Sequence, residues 1–404
     1  MLKHLDKRLI TILLIVFVQM VGASLILPIL PLYALGEFDL SPQAITLLAA
    51  SFFAAQFVAG PYLGRLSDKV GRVPVLLVSQ LGTVIAFVAL GAAPAAWVLY
   101  AARILDGITG GNIIVAQAYV TDITPAERRS ESLGLILAAF GIAFFVGPAI
   151  GGFASQAFGP RVPYYLAAVA ALITLLLTWF TLDETHDEEE RAARAAAGHK
   201  LTPRLVLSSV PAMLSLSLGF LSMFVLGLVI AVFALFGEAV LFSEGDAEAV
   251  GLGVGLILTG VGLSQFITQT LLIRPALTRF GELRLIQVGI VVRAIGLLFI
   301  AFTSSPLVAA GGSALFACGM GLTTPPTQSA ATKSVADALR GGILGLYQSV
   351  ASLGTIISTA IGGVLFAIDP FLAFRLGAVL AFLALIPAIA LERTFVRTKQ
   401  ESLD

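Results

Sequence analysis

GLILAAFGIAFFVGPAIGG, residues 134 to 152, returns 211 positions later as GLYQSVASLGTIISTAIGG, residues 345 to 363, with the leading glycine and the closing Ile-Gly-Gly in register. A second echo stands at an offset of 210: GRLSDKVGRVP, residues 64 to 74, against RPALTRFGELR, residues 274 to 284, which sets Gly71 on Gly281 and Lys69 on Arg279. Repetition at a fixed period is the mark of a duplicated architecture. The period here is close to half of the 404 residues, so the two halves of the chain build one plan twice.

What is repeated is a set of apolar runs. A helix needs about 20 mostly apolar residues to cross a hydrocarbon layer about 30 Å thick. Twelve runs meet that length, near residues 9–32, 44–66, 74–93, 97–120, 132–153, 163–182, 211–236, 250–273, 286–303, 307–329, 343–366 and 371–391. Composition agrees: 58% of residues are hydrophobic and 12% charged, where a soluble domain carries about 25% charged. A globule so apolar could not cover itself with polar groups in water, so the lipid bilayer is the expected solvent. The first run is too long for a cleaved signal and others follow it, so it reads as a retained helix.

The basic residues orient the spans. With the amino terminus in the cytoplasm, 20 of the 24 lysines and arginines fall in cytoplasmic segments, Arg161 and Arg375 fall outside, and Arg103 and Arg293 lie within spans. That bias is a strong positive-inside signal, placing both termini in the cytoplasm of a bacterial-type inner membrane. Between spans six and seven, residues 183–204 (DETHDEEERAARAAAGHKLTPR) read as a solvated cytoplasmic linker. The expected organisation is an all-α integral membrane protein: a six-helix bundle over 1–182, a linker over 183–207 and a second six-helix bundle over 208–404. Like-oriented repeats related by an axis along the membrane normal are a transporter plan, with a cavity between halves that rock about it.

Several chemistries are excluded. Net charge is zero, so no basic surface for nucleic acid is expected. Cys318 is the single cysteine, and His4, His186 and His199 all lie in polar segments, which leaves no Cys-rich or histidine metal site in the spans. No G-x(4)-G-K-[ST] loop is present for ATP. Neither cofactor nor metal is expected, and no enzyme.

The sharpest motif is Gly64-Arg65-Leu66-Ser67-Asp68-Lys69-Val70-Gly71-Arg72, between spans two and three. It resembles the signature loop G-x-L-x-D-R/K-x-G-R-R/K of the major facilitator superfamily. Gly64 is expected to allow close helix approach, Gly71 a tight turn, and Asp68 an ion pair with Arg72. Asp122, at the cytoplasmic end of span four, would by that resemblance join Asp68 and Arg72 in a cluster that locks the cytoplasmic gate; a helix-end cap is the plainer alternative. Gly141, Gly147, Pro148, Gly151 and Gly152 in span five resemble the G-x(5)-G-P-x-x-G-G antiporter motif of drug:proton exporters. The equivalent stretch of span eleven replaces Gly147-Pro148 with Ser358-Thr359, so the motif belongs to the first half. Leu27-Pro28-Ile29-Leu30-Pro31 resembles the L-P-x-x-P motif of twelve-span exporters, but span one has no acid.

Arg103 and Asp106, at i and i+3 in span four, share a helix face within reach of each other. Buried charges cost about 2.5–3.5 kcal/mol each by insertion scales, so they pair or face water. Arg103 with Gly107 also matches the family's span-four R-x-x-x-G motif, associated with proton handling. Only Asp106 and Glu238 stand within spans or at their edge among the acids, which makes them the candidates for proton coupling. Glu238 reads equally as the first residue of an external acidic loop. Arg293 in span nine has no embedded acid near it in sequence, and either binds an anionic group or snorkels to the cytoplasmic interface. Gln19, Asn112, Gln117, Arg293, Tyr347 and Gln348 are the candidates for a substrate cavity.

The resemblance covers essentially the whole chain, and the tetracycline and multidrug exporters are the likeness within it. It implies proton-coupled efflux of lipophilic small molecules by alternating access, from a monomer. Export of an endogenous metabolite, sugar or lipid is the alternative, and a proton symporter fits the span-five motif less well.

Overall fold

The computed structural model describes residues 7–110, 112–124, 129–184, 209–243, 247–335 and 339–401. Among them there are helices and connecting turns, with no strand. Eleven helices are long and apolar enough to cross a membrane, from Arg8–Phe38 to Leu372–Val396. The fourth span is the twelfth, and it differs from the unbroken run expected over 97–120. Its described residues form two shorter helices, Ala96–Thr109 and Asn112–Ile123, with Gly110 in a turn after the first and Gly111 outside the described residues. The break is stabilised locally: the Gly110 N–H donates to Asp106 O at 2.6 Å, and Gln56 Nε2 on span two donates to Gly110 O at 3.2 Å. In hydrocarbon an interrupted helix persists only where a neighbour takes up the freed backbone groups. The linker expected over 183–207 lies, from residue 185 onward, outside the described residues.

Other irregularities have equally local causes. Span one turns at Leu27-Pro28 between helices Lys7–Ile26 and Ile29–Phe38, because Pro28 has no N–H to continue the ladder. Span eight carries a π-turn over Thr268–Leu272 just ahead of Pro275, where the ring would clash with the carbonyl of Leu271 in a regular helix.

The duplication is visible in packing. Span one lies against span five and span seven against span eleven. In the same way span three packs on four and six, and span nine on ten and twelve. The turns before spans three and nine are closed by Gly71 (φ 113°) and Gly281 (φ 72°), in the backbone region where a β-carbon is strained. By contacts, the chain divides into one unit of Met1–Gly198 with Phe242–Leu263 and another of His199–Leu241 with Ser264–Asp404. The first part of span eight therefore associates with the first unit, whereas the sequence halves were drawn at the linker.

Large apolar side chains stand exposed along the helices, Leu307, Phe180, Phe153 and Val78 among them, as suits surfaces that face lipid. Trp97 opens span four and Trp179 closes span six. Both are exposed at span ends, where indole rings sit at the interface. Arg161 and Arg375, which the sequence leaves outside the expected cytoplasmic set, are each paired with an acid. Arg161 Nη2 lies 2.7 Å from Glu37 Oε2, a hydrogen bond that holds its guanidinium above the ordinary arginine value, and Arg375 Nη1 lies 2.7 Å from Asp369 Oδ2.

Candidate functional site

Two charged centres dominate the first unit. One forms at the turn between spans two and three, where the helix Pro42–Val70 stops and Gly71 turns the chain into Arg72–Gly91. Arg72 is nearly buried at its hub. Its Nη1 lies 2.7 Å from Asp68 Oδ1 and donates to Ser67 Oγ at 2.6 Å, while Nε donates to Asp122 Oδ2 at 3.0 Å. A third carboxylate caps the same corner: Glu184 accepts from the backbone N–H of Arg72 at 2.9 Å and of Val73 at 3.1 Å. These donors belong to the first turn of span three, where no intrahelical acceptor exists and the helix dipole favours an anion. The carboxylate also fills the space in which a β-carbon at Gly71 would stand. Leu182 is buried beside it, and Tyr119 Oη donates to Asp183 O at 3.0 Å, so the first residues of the linker are fastened to the bundle. Lys69 stays exposed.

Gly64 does not have the role expected of it. Among the described residues, nothing lies within 4 Å of where its β-carbon would be, so no helix approaches there. The closest approach in span four is at Gly107, where a β-carbon would meet Ala55 Cβ at 2.8 Å and the Phe52 carbonyl.

The second centre lies inside the membrane. Arg103 Nη1 and Asp106 Oδ2 are 2.7 Å apart, with side chains 14% and 8% exposed. The guanidinium also stands 4.0 Å from the centroid of Phe52, a cation–π contact. One helix turn holds both charges, and the break at Gly110 follows directly. An arginine and a proton compete for the same carboxylate. In the arrangement seen here the charge of Asp106 is satisfied by Arg103.

The span-five glycines form a seam. At Gly147 a β-carbon would overlap Ser24 Oγ, and at Gly151 the Leu25 carbonyl, so spans one and five touch backbone to backbone. Ser24 Oγ donates to Ala143 O at 2.9 Å across the same seam. Gly152 turns the other way, where a β-carbon would stand 2.9 Å from Gly251 O of span eight. Pro148 is buried, and its carbonyl lies against Gly255. Gly141 is buried one to two turns below. Such small-residue faces are how helices pack tightly in lipid.

The remaining candidates scatter. Gln19 is buried in span one and Gln117 is half-buried in span four. The side chain of Asn112 lies outside the described residues. Gln348 is exposed, while its neighbour Tyr347 is buried in the core of the second unit with Leu216 and Ile343. Glu238 sits half-buried in a π-turn, Gly237–Leu241, at the external end of span seven. Arg293 is completely buried, so the snorkelling alternative is overturned. Glu184 is the residue sequence reasoning missed, whereas Gln56 makes the hydrogen bond between helices expected of a polar group within a span. An acid at the very start of a charged linker looks like the rest of the linker, and its acceptor role reaches back 112 positions.

The second unit has a charged corner of its own at the equivalent turn, between spans eight and nine. Glu282 follows Gly281 as Arg72 follows Gly71, and its carboxylate bonds Lys333 Nζ at 2.5 Å and Ser329 Oγ at 2.9 Å. Glu392 accepts from Arg284 Nε at 3.1 Å and Gln287 Nε2 at 2.7 Å.

A duplicated bundle of membrane-spanning helices, with a charged turn at the start of span three and a buried ion pair in span four, defines a polytopic transporter. The chain belongs to the Major Facilitator Superfamily, whose family profile matches residues 12–251 and 220–402. It is 34% identical to the tetracycline resistance protein, class C, of Escherichia coli, over 95% of this chain and 96% of that one. It is 29% identical to multidrug resistance protein 2 of Bacillus subtilis (strain 168), over 88% of this chain and 89% of the relative. In fold it is similar to the human organic anion transporter MFSD10 (TETRAN), with a TM-score of 0.70 at 20% identity, covering 94% of this chain and 98% of that one.

Proposed function

We propose that this protein exports lipophilic, drug-like small molecules from the cytoplasm in exchange for protons, by alternating access. The observation that carries the coupling is the buried Arg103–Asp106 pair, 2.7 Å apart beside the break in span four. When the site faces outward, Asp106 takes a proton and releases Arg103. When it faces the cytoplasm, the proton leaves and the pair re-forms. Arg72, with Asp68, Asp122 and Glu184, fastens the cytoplasmic corner of the first bundle and serves as its gate latch. Resistance proteins among the relatives support the substrate class. The basic residues support an inner-membrane location with cytoplasmic termini, and the working unit is the monomer.

The test uses full-length protein in liposomes with an acidic lumen. Proton exit should drive uptake of ethidium or a tetracycline. Asp106→Asn should lose the gradient-driven uptake while still exchanging labelled for unlabelled drug. Full gradient-driven uptake by Asp106→Asn would move the coupling to another acid, Glu238 first.

A further inference from the structure

We infer that the second unit holds a binding site for a carboxylate or enolate of the transported solute, built on Arg293. This rests on the exporter reading and adds, within its substrate class, amphiphiles bearing an anionic group.

Arg293 is 0% exposed, in the middle of the helix Glu282–Ala301. Eleven residues past the helix start, at about 1.5 Å per residue, it stands about 16 Å from the cytoplasmic end. A guanidinium at that depth costs several kcal/mol unless it meets a counter-charge. Its one hydrogen-bond acceptor is Met320 Sδ, 3.3 Å from Nη1, and a thioether is a weak acceptor without charge. Nε and Nη2 are buried with no acceptor. Those two nitrogens form one edge of the planar head, the edge that matches the two oxygens of a carboxylate in a bidentate bond. The edge that would bind an anion is thus the edge left open.

Among the described residues, no carboxylate is paired with Arg293. Among the described residues of this unit, Glu282 is engaged by Lys333, Glu392 by Arg284 and Asp369 by Arg375. Glu238 sits at the external end of span seven, far along the helix from its middle. The stem of Arg293 is meanwhile held rigidly. Spans nine and ten meet so closely that a β-carbon at Gly319 would lie 2.5 Å from both Arg293 N and Gly289 O. Tyr347 of span eleven is near enough to interact electrostatically with the guanidinium, and its ring packs on Gly219 of span seven. One turn from Gly219, on the same helix face, Ser215 Oγ is also buried without a partner. A fixed, unspent bidentate edge with a phenol and a hydroxyl beside it is a recognition site, reached as the transporter opens.

The experiment is equilibrium binding of three fluorescent probes to the detergent-purified full chain: 1-pyrenebutyrate, its neutral methyl ester and cationic ethidium. Wild type should bind the carboxylate about tenfold or more tighter than the ester, and Arg293→Gln should erase that preference, since truncating one side of a buried charge pair carries an effect of this size. Arg293→Lys keeps the charge without the fork and should fall between, and ethidium, which brings no anion to the fork, checks that each variant still binds a solute. Equal binding of acid and ester by wild type overturns the inference even where no variant folds. Displacement of pyrenebutyrate by phosphatidylglycerol micelles would also overturn it, by assigning the site to a lipid headgroup. Gradient-driven ethidium transport by wild type is read separately. Its absence sinks the exporter reading and leaves the binding result to stand by itself.

Discussion

Arg103 packs on Phe52 of span two in one half, Arg293 lies in the seam of spans nine and ten in the other, and their partners differ. Arg103 finds Asp106 one turn away, at 2.7 Å, whereas Arg293 finds the sulfur of Met320. A paired arginine can trade its acid for a proton; an arginine without an acid has an affinity to satisfy from outside. On this assignment the duplicated halves have divided the work, with proton coupling in the first and solute recognition in the second. The charged corners differ in the same spirit. Gly71 and Gly281 close equivalent turns, but the residue that follows is a cation ringed by carboxylates in one half and a carboxylate held by a lysine in the other.

Arg72→Ala should produce the largest effect on this comparison. It removes a cation shared by Asp68 and the 4%-exposed side chain of Asp122, and breaking a buried pair typically costs about 3–5 kcal/mol. Thermal unfolding in detergent should fall steeply and transport should drop more than about tenfold; an unchanged melting curve and rate would remove the hub role. Gly151→Val comes next. Its side chain would run into the Leu25 carbonyl, and overpacking of this kind costs about 1–3 kcal/mol. The expected result is a lower melting temperature and poor membrane yield, while a neutral outcome would mean that spans one and five separate freely. Glu282→Gln should be milder than Arg72→Ala, because Lys333 is half-exposed and such pairs contribute about 0–1 kcal/mol. Equal losses in the two variants would make the corners equivalent. Gly64→Ala should have the smallest effect and the opposite sign. With open space at the position, alanine in place of a helical glycine should stabilise by about 0.5–1 kcal/mol, and transport should be retained.

Much of the fold was legible because membrane helices advertise themselves by length and apolar composition. The Asp68–Arg72 and Arg103–Asp106 pairs were legible for a related reason: helical spacing alone brings i, i+3 and i, i+4 groups together. What stayed hidden depends on distant partners. Glu184 reaches the N–H groups of Arg72 and Val73 and leaves no local pattern. The break in span four was hidden because its flanks are apolar enough to read as one helix. Gly64 was misjudged because a glycine in a motif need not be there for packing. The isolation of Arg293 became decisive only when burial excluded a route to the interface.

The division of labour is tested most directly by following protons while drug moves. Liposomes holding the full chain and a pH-sensitive dye, with no initial pH difference, are given an outward ethidium gradient. Wild type and Arg293→Gln should both draw protons into the lumen as ethidium leaves, and Asp106→Asn should release ethidium without proton movement. Proton entry with Asp106→Asn at the wild-type rate would contradict the assignment of coupling to the Arg103–Asp106 pair.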